Sequence, residues 1–162
     1  MKIKMDNLVI TEYCSNDKEK YHFIKDVSED KLIKKYVSNN MDEWLEDSEG
    51  LDKIYVGPAY IIEDKEKLVG FIRLSSLNKD GVLDLHYATH PVYRKQNYGT
   101  KILLEVSKYI FKNILSINKI ELHIKEINIG SIKCAKKAKF KFDREYIPRY
   151  DDCKVKVYSM KK

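Results

Sequence analysis

Residues 82–113 read VLDLHYATHPVYRKQNYGTKILLEVSKYIFKN, and the parsing of that stretch decides the fold. Val82, Leu83, Leu85, Tyr87 and Ala88 make an apolar run of strand length, and Pro91 forbids its regular continuation. From Gly99 the apolar positions Ile102, Leu103, Val106, Tyr109 and Ile110 recur at helical spacing, so a long amphipathic helix begins near Tyr98. Between strand and helix lie Arg94, Lys95, Gln96, Asn97 and Gly99. A helix start offers unpaired N–H groups and the positive end of its dipole, and here two cationic side chains join them. The junction suits an anion such as a phosphate. It is neither of two familiar phosphate loops, because G-x-x-x-x-G-K-[ST] and G-x-G-x-x-G are both absent.

What the run resembles is the acetyl-CoA-binding motif of the GNAT superfamily of N-acetyltransferases, a strand followed by V-x-P-x-[YF]-R-G-x-G-[YI]-G-[TS]-x-L-L. Pro91, Tyr93, Arg94, Tyr98, Gly99, Thr100, Leu103 and Leu104 stand in the expected places. Asn97 replaces the first glycine of the R-x-x-G-x-G core and Lys95 another common glycine. Asn is the non-glycine residue that best accepts positive φ. A second signature lies in residues 120–140, IELHIKEINIGSIKCAKKAKF, which resembles I-x-L-x-V-x-x-x-N-x-x-S-I-x-x-x-E-K-x-G-F at Asn128, Ser131, Ile132, Lys137 and Phe140. Asn128 is placed to cap the helix that follows, with its amide free to bond a pantetheine chain. The likeness covers roughly residues 55–160 and points to the branch that contains the ribosomal-protein and spermidine acetyltransferases.

The remaining elements read in order. Residues 8–13 make a first strand, the YHFIKDV stretch is ambiguous, and a helix starts at Ser28 with Glu29 and Asp30 behind it and Leu32, Ile33, Tyr36 and Val37 as its apolar stripe. Residues 42–49 make a second helical piece that ends at Gly50. Residues 59–63 and 67–77 form a hairpin about DKEK, and NKDG leads into the strand at Val82. After the long helix come a strand over 119–125, a helix over 129–139 and two closing strands, 141–146 and 154–160. That order alone says α+β; the resemblance makes it a three-layer α/β/α domain spanning residues 1–162. It implies a mixed, mainly antiparallel GNAT sheet of about seven strands with a splayed central pair, and about four helices. In the splay, backbone groups of Tyr87, Ala88 and Thr89 would pair with the pantetheine, while Arg94, Lys95, Gln96, Asn97, Tyr98, Gly99 and Thr100 would hold the phosphates. The family's first two helices overhang the acceptor groove, which makes Tyr36, Met41, Trp44 and Leu45 candidates to shape it, or else ordinary core residues.

Acetyl transfer to an amine needs a neutral nucleophile and therefore a base for the ammonium proton, often through water. Asp84 and His86 share one face of the organising strand, and His123 lies on the neighbouring strand. Asp84 stands where the related branch usually has a glutamate. It is the leading candidate for base or ammonium-binding group, with His86 next and His123, at a position held by a functional glutamate in some relatives, as an acceptor-side residue. Each has a bland alternative in simple surface pairing. Many GNAT enzymes place a proton-donating tyrosine seven residues after the equivalent of Asn128; here that residue is Ala135, with Cys134 beside it as a substitute donor. Lys139 replaces the glycine of the family's G-F pair, which puts the helix end in question. The leading expectation is an N-acetyltransferase moving an acetyl group from acetyl-CoA to a polyamine, an aminoglycoside-like amine or a protein N-terminus by direct attack. The alternative is a catalytically weak GNAT-fold module that binds CoA as a sensor or partner.

Charged residues make up 35% of the 162-residue chain and hydrophobic ones 43%, with no apolar run long enough for a membrane span or signal peptide, so a cytoplasmic enzyme is expected. Cys14, Cys134 and Cys153 are odd in number and lack C-x-x-C or His-rich neighbours, which argues against a disulfide framework or a metal site. The net charge of +6 is spread among acidic residues and no aromatic residues interleave with a basic stripe, so nucleic acid is not an expected partner. The cluster Lys133, Lys136, Lys137, Lys139 and Lys141 reads as a solvated helix face. The Tyr-rich closing strands leave a homodimer possible.

Overall fold

The computed structural model describes residues 2–5, 7–13, 16–36, 59–149 and 151–162. Trp44, Met41, Leu45 and the expected helix over 42–49 lie outside them. In chain order the elements are β1 (Lys2–Lys4), β2 (Val9–Glu12), α1 (Lys18–Glu29), α2 (Lys31–Tyr36), β3 (Ala59–Asp64), β4 (Lys67–Leu77), β5 (Val82–Thr89), a 3-10 turn (Pro91–Tyr93), α3 (Tyr98–Asn113), β6 (Lys119–Lys125), α4 (Ile129–Lys137), β7 (Lys141–Tyr146) and β8 (Val155–Lys161). Eight strands form one sheet in the order β1-β2-β3-β4-β5-β6-β8-β7. Every neighbouring pair is antiparallel except β5 and β6. The α+β class and the mixed sheet are as expected; the extra strand is β1, three residues that hydrogen-bond to β2 and are too short to show a periodicity.

Two apolar layers cover the sheet. On one face Ile102, Leu103, Val106 and Ile110 of α3 and Ile132 and Ala135 of α4 pack with Ile62, Leu83, Leu85, Ile120 and Leu122. On the other, Phe23, Ile24 and Val27 of α1 and Ile33 of α2 pack on Ile61, Phe71 and Ala88. The large aliphatic and aromatic side chains among them each contribute roughly 1.5–3 kcal/mol of transfer free energy when fully buried, the alanines less.

The ambiguous YHFIKDV stretch is the body of α1. Its start is the Asp17 carboxylate, which accepts from the Lys20 N–H at 3.2 Å, and Phe23, Ile24 and Val27 form its buried stripe. Ser28 is therefore buried near the end of α1, its hydroxyl donating to the Lys25 carbonyl at 2.7 Å, and does not begin a helix. The cap of α2 is Asp30, which accepts from the Leu32 and Ile33 N–H groups at 3.0 and 3.1 Å. Leu32, expected in the apolar stripe, is 44% exposed. Three Ser/Asp/Glu residues in a row look like one helix start, and only the carboxylate geometry shows which of them caps.

The helix end after α4 forms without its glycine. Lys139 takes φ 68°, the Phe140 N–H donates to the Ala135 carbonyl at 3.0 Å and the Lys139 N–H to the Lys136 carbonyl at 3.0 Å. That is the hydrogen-bond pattern of a left-handed helix terminus, held here at a cost of about 1–2 kcal/mol relative to glycine.

Candidate active site

The central strand pair parts early. β5 and β6 pair only through Val82↔Lys119, Leu83↔Ile120 and Asp84↔Glu121. Beyond that point β5 continues to Thr89 paired with β4 alone, and β6 continues to Lys125 paired with β8 alone. The gap between them opens into a cavity of about 1000 Å³ lined by Leu85 to Thr89 on one side and Leu122 to Lys125 on the other.

At one end of this slot stands the basic turn. Asn97 takes φ 66°, the left-handed conformation that Asn tolerates, and Lys95 takes φ 62°. Together they fold the chain so that the α3 N-terminus faces the cavity, whose wall includes Tyr93, Arg94, Lys95, Asn97, Tyr98, Gly99 and Thr100. Gln96 is the exception, its amide donating to the Val92 carbonyl at 3.1 Å. Arg94 is tied across the turn: its guanidinium meets the Asp30 carboxylate at 2.6 Å, the same oxygen that caps α2. Burial pushes the Asp30 carboxyl up, but Arg94 and the Ile33 and Leu32 N–H groups prevail and hold it below the usual carboxylate range. Asp64, at the β3–β4 turn, anchors the α3 start by accepting from the Tyr98 hydroxyl and from Lys101, both at 3.0 Å.

Asn128 caps α4, its side chain accepting from the Ser131 N–H at 3.1 Å. The residues that α4 turns to the cavity include Ser131 and Cys134, whereas Ala135 is fully buried in the core. The Tyr87 hydroxyl reaches α4 and donates to the Ser131 carbonyl at 3.4 Å. Burial pushes the Tyr87 pKa up, so that hydroxyl stays protonated.

Asp84, His86 and His123 gather on the face opposite Tyr87. His86 and His123 line the cavity, as does Tyr36 at the end of α2. Asp84 stands behind His123, with Oδ1 at 3.2 Å from Nε2. Burial pulls the His86 pKa down, opposed by Asp84 and reinforced by His123 and Arg73, so its ring is neutral at pH 7.

Glu121, Arg144 and Tyr146, which no sequence motif marks, complete the cluster around His123. Glu121 is 5% exposed and receives both Arg144 nitrogens at 2.8 Å and Lys119 Nζ at 2.6 Å. These cations hold its carboxyl at about 2. Its Oε2 lies 3.3 Å from His123 Nε2, while the Tyr146 hydroxyl lies 3.0 Å from His123 Nδ1. Alternation on β6 already places Glu121 and His123 on one face, but Arg144 and Tyr146 reach them from β7 across β8, where Val157 pairs with both His123 and Arg144. A bulge between Phe142 and Arg144 sets that reach.

A stability consequence follows from Glu121. A carboxyl lowered on folding stabilises fully above its ordinary value of 4.5, and that contribution is lost as pH falls toward about 2. Glu121→Gln removes it, so the variant melts lower than the parent at neutral pH and the gap closes as pH falls through that window. Thermal melts over the pH series check this, and a gap independent of pH would show that Glu121 is not held down.

The fold has counterparts among solved structures. An acetyltransferase of the GNAT family from Bacillus anthracis superposes with a TM-score of 0.79 at 16% identity, over 99% of this chain and 98% of that one. An acetyltransferase from Salmonella typhimurium that modifies the N-terminal serine of ribosomal protein L7/L12 gives 0.76 at 11%, over 97% and 96%. Spermidine N-acetyltransferase from Vibrio cholerae, in complex with CoA and spermine, gives 0.76 at 17%, over 96% and 95%. No curated protein matches the sequence. The family model for the acetyltransferase (GNAT) domain matches residues 6–141, and the chain belongs to the GNAT acetyltransferase family.

Proposed function

We propose that the protein is an N-acetyltransferase that transfers an acetyl group from acetyl-CoA directly to a primary amine held in the same complex. The observation that carries this reading is the end of the β5–β6 register at Asp84↔Glu121, which leaves a strand-wide slot beside the α3 N-terminus. The residues present fit the cosubstrate. Backbone groups of Tyr87, Ala88 and Thr89 border the slot where an extended chain can pair, Asn128 presents its amide from the opposite wall, and Lys95 and the α3 start from Asn97 to Thr100 offer N–H groups to phosphates. Acetyl-CoA supplies the activated acetyl group. The protein supplies position and a place for the amine's proton: His123 forms the basic group with Asp84 behind it, and His86 stays a neutral polar wall. Tyr36 and His123 border the acceptor side, and the acceptor is a polyamine, an aminoglycoside-like amine or a protein N-terminus.

Calorimetric titration of acetyl-CoA, followed by assay of CoA release with spermidine, kanamycin and a serine-initiated peptide, tests the reading. Binding with a Kd on the order of micromolar and turnover with one of the amines supports it. Binding without turnover by any amine favours a CoA-responsive module, in keeping with Ala135 at the usual tyrosine position. No binding overturns both.

A further inference from the structure

Tyr146 lies on the edge strand β7, and its side chain reaches over β8 into the cavity beside His123. We infer that Tyr146 and His123 form a proton relay, in which the acceptor ammonium gives its proton to the Tyr146 oxygen as the Tyr146 hydroxyl proton passes to Nδ1 of His123. This rests on the acetyltransferase reading above and assigns Tyr146 a catalytic role.

The geometry sets the direction of the relay. His123 Nε2 faces two carboxylates, Glu121 Oε2 at 3.3 Å and Asp84 Oδ1 at 3.2 Å. Both only accept, so Nε2 carries the ring proton and the lone pair lies on Nδ1. There the Tyr146 hydroxyl donates at 3.0 Å. Burial, with the charge of Asp84 next, pushes the Tyr146 pKa up, so its hydroxyl holds a proton to give. The Tyr146 oxygen keeps lone pairs for an ammonium, and the residue is 42% exposed, within reach of an entering acceptor. Proton balance is simple: one N–H bond of the ammonium breaks, one O–H bond is exchanged, and one N–H bond forms at Nδ1. The resulting imidazolium lies against Asp84 and Glu121. The charged and titratable groups placed against the ring among the described residues are Asp84 and His86 from β5, Glu121 from its own strand and Tyr146 from β7, with Arg144 acting through Glu121; on β8 the register partner of His123 is Val157. Arg144 and Lys119 commit Glu121 to ionisation and fix it in place, which makes Glu121 a positioning residue.

The test uses Tyr146→Phe with a serine-initiated peptide, whose α-amine is an ammonium at about pH 7 and a free amine by about pH 9.5. A relay is needed only while the proton must be removed. The variant's kcat is then expected to fall roughly tenfold to a hundredfold at the lower pH, with the KM for acetyl-CoA unchanged, and to converge on the parent at the higher pH. His123→Gln shows the same convergence. A structural role gives a deficit that does not change with pH, and that result, or no deficit, overturns the relay while leaving the transferase reading intact. Absence of acetyl-CoA binding by the parent removes the reading itself. An acceptor-independent readout completes the test: long-range ¹H–¹⁵N spectra of histidine-labelled protein without ligand should show neutral His123 protonated at Nε2. A proton on Nδ1 overturns the relay whatever amines are turned over.

Discussion

Gly99→Trp destroys acetyl-CoA binding, with affinity falling at least about 100-fold, or roughly 2.8 kcal/mol. Gly99 is buried in the first turn of α3, and a Cβ built there already lies 3.0 Å from Cys134 Sγ and 3.4 Å from Tyr87 Cε2. Even a methyl group would force Cys134 to give by a few tenths of an ångström, and an indole has nowhere to go but the slot between α3, α4 and β5. The ring would occupy the passage between the phosphate turn and the acetyl end while leaving Asn97 and its left-handed turn intact. Titration calorimetry reads the loss, and circular dichroism and a melt establish that the variant is folded. A folded Gly99→Trp protein that binds acetyl-CoA with the parent's affinity would mean that the cosubstrate lies elsewhere.

Asp84→Ala has the second large effect, on rate and not on acetyl-CoA binding. Asp84 sits at the last paired position of the β5–β6 seam, behind His123 and away from the cavity wall. Its expected contribution is to orient the imidazole and to balance the charge that a proton brings. Removing it should lower kcat by about 10²-fold or more, with the Kd for acetyl-CoA unchanged because the phosphate turn lies at the other end of the slot. Asp84→Asn, which keeps the shape, should retain more stability than the alanine variant and still lose rate. Parallel measurement of kcat, KM and calorimetric Kd separates this from general destabilisation, which would weaken binding and rate together. An Asp84→Ala enzyme with unchanged kcat would remove Asp84 from the mechanism.

Most of the fold is legible in the chain because its signals are local. The β5 strand, the α3 start at Tyr98, the Asn128 cap and the β3–β4 hairpin each depend on residues within a few positions of one another, and each forms where periodicity and capping place it. The left-handed Asn97 is legible for the same reason, since a glycine position taken by Asn points to φ above zero. What was not legible depends on partners far apart in sequence. Arg94 reads as a phosphate ligand, but its pairing with Asp30 joins residues 64 positions apart. Glu121 looks like an ordinary surface residue of a strand until Arg144 folds back over β8 to cover it. The proposed acceptor side has the same character. Tyr146 lies on an edge strand whose register is offset by a bulge, and nothing local to KFDREY tells which residue faces His123. The expectation for α4 shows a third kind of gap: a position count identifies Ala135, whereas rotation about the helix axis decides that Gly130, Ser131, Lys133, Cys134 and Lys137 are what the cavity meets.

The short seam between β5 and β6 has a mechanical meaning. Strands β1 to β5 form one block with α3 packed on it, and β6 to β8 form another with α4, and in the sheet only three residue pairs join them. In sheet hydrogen bonds the two blocks are joined by that ladder alone, while the apolar layer beneath α3 and α4 runs across both. An extended ligand bridging the gap acts as a missing rung series, stitching the blocks into one continuous plate. By linkage, a ligand present at 100 times its Kd and binding only the folded chain adds about 2.7 kcal/mol to the stability of the fold. An extended chain that filled the gap would therefore brace both halves of the sheet at once.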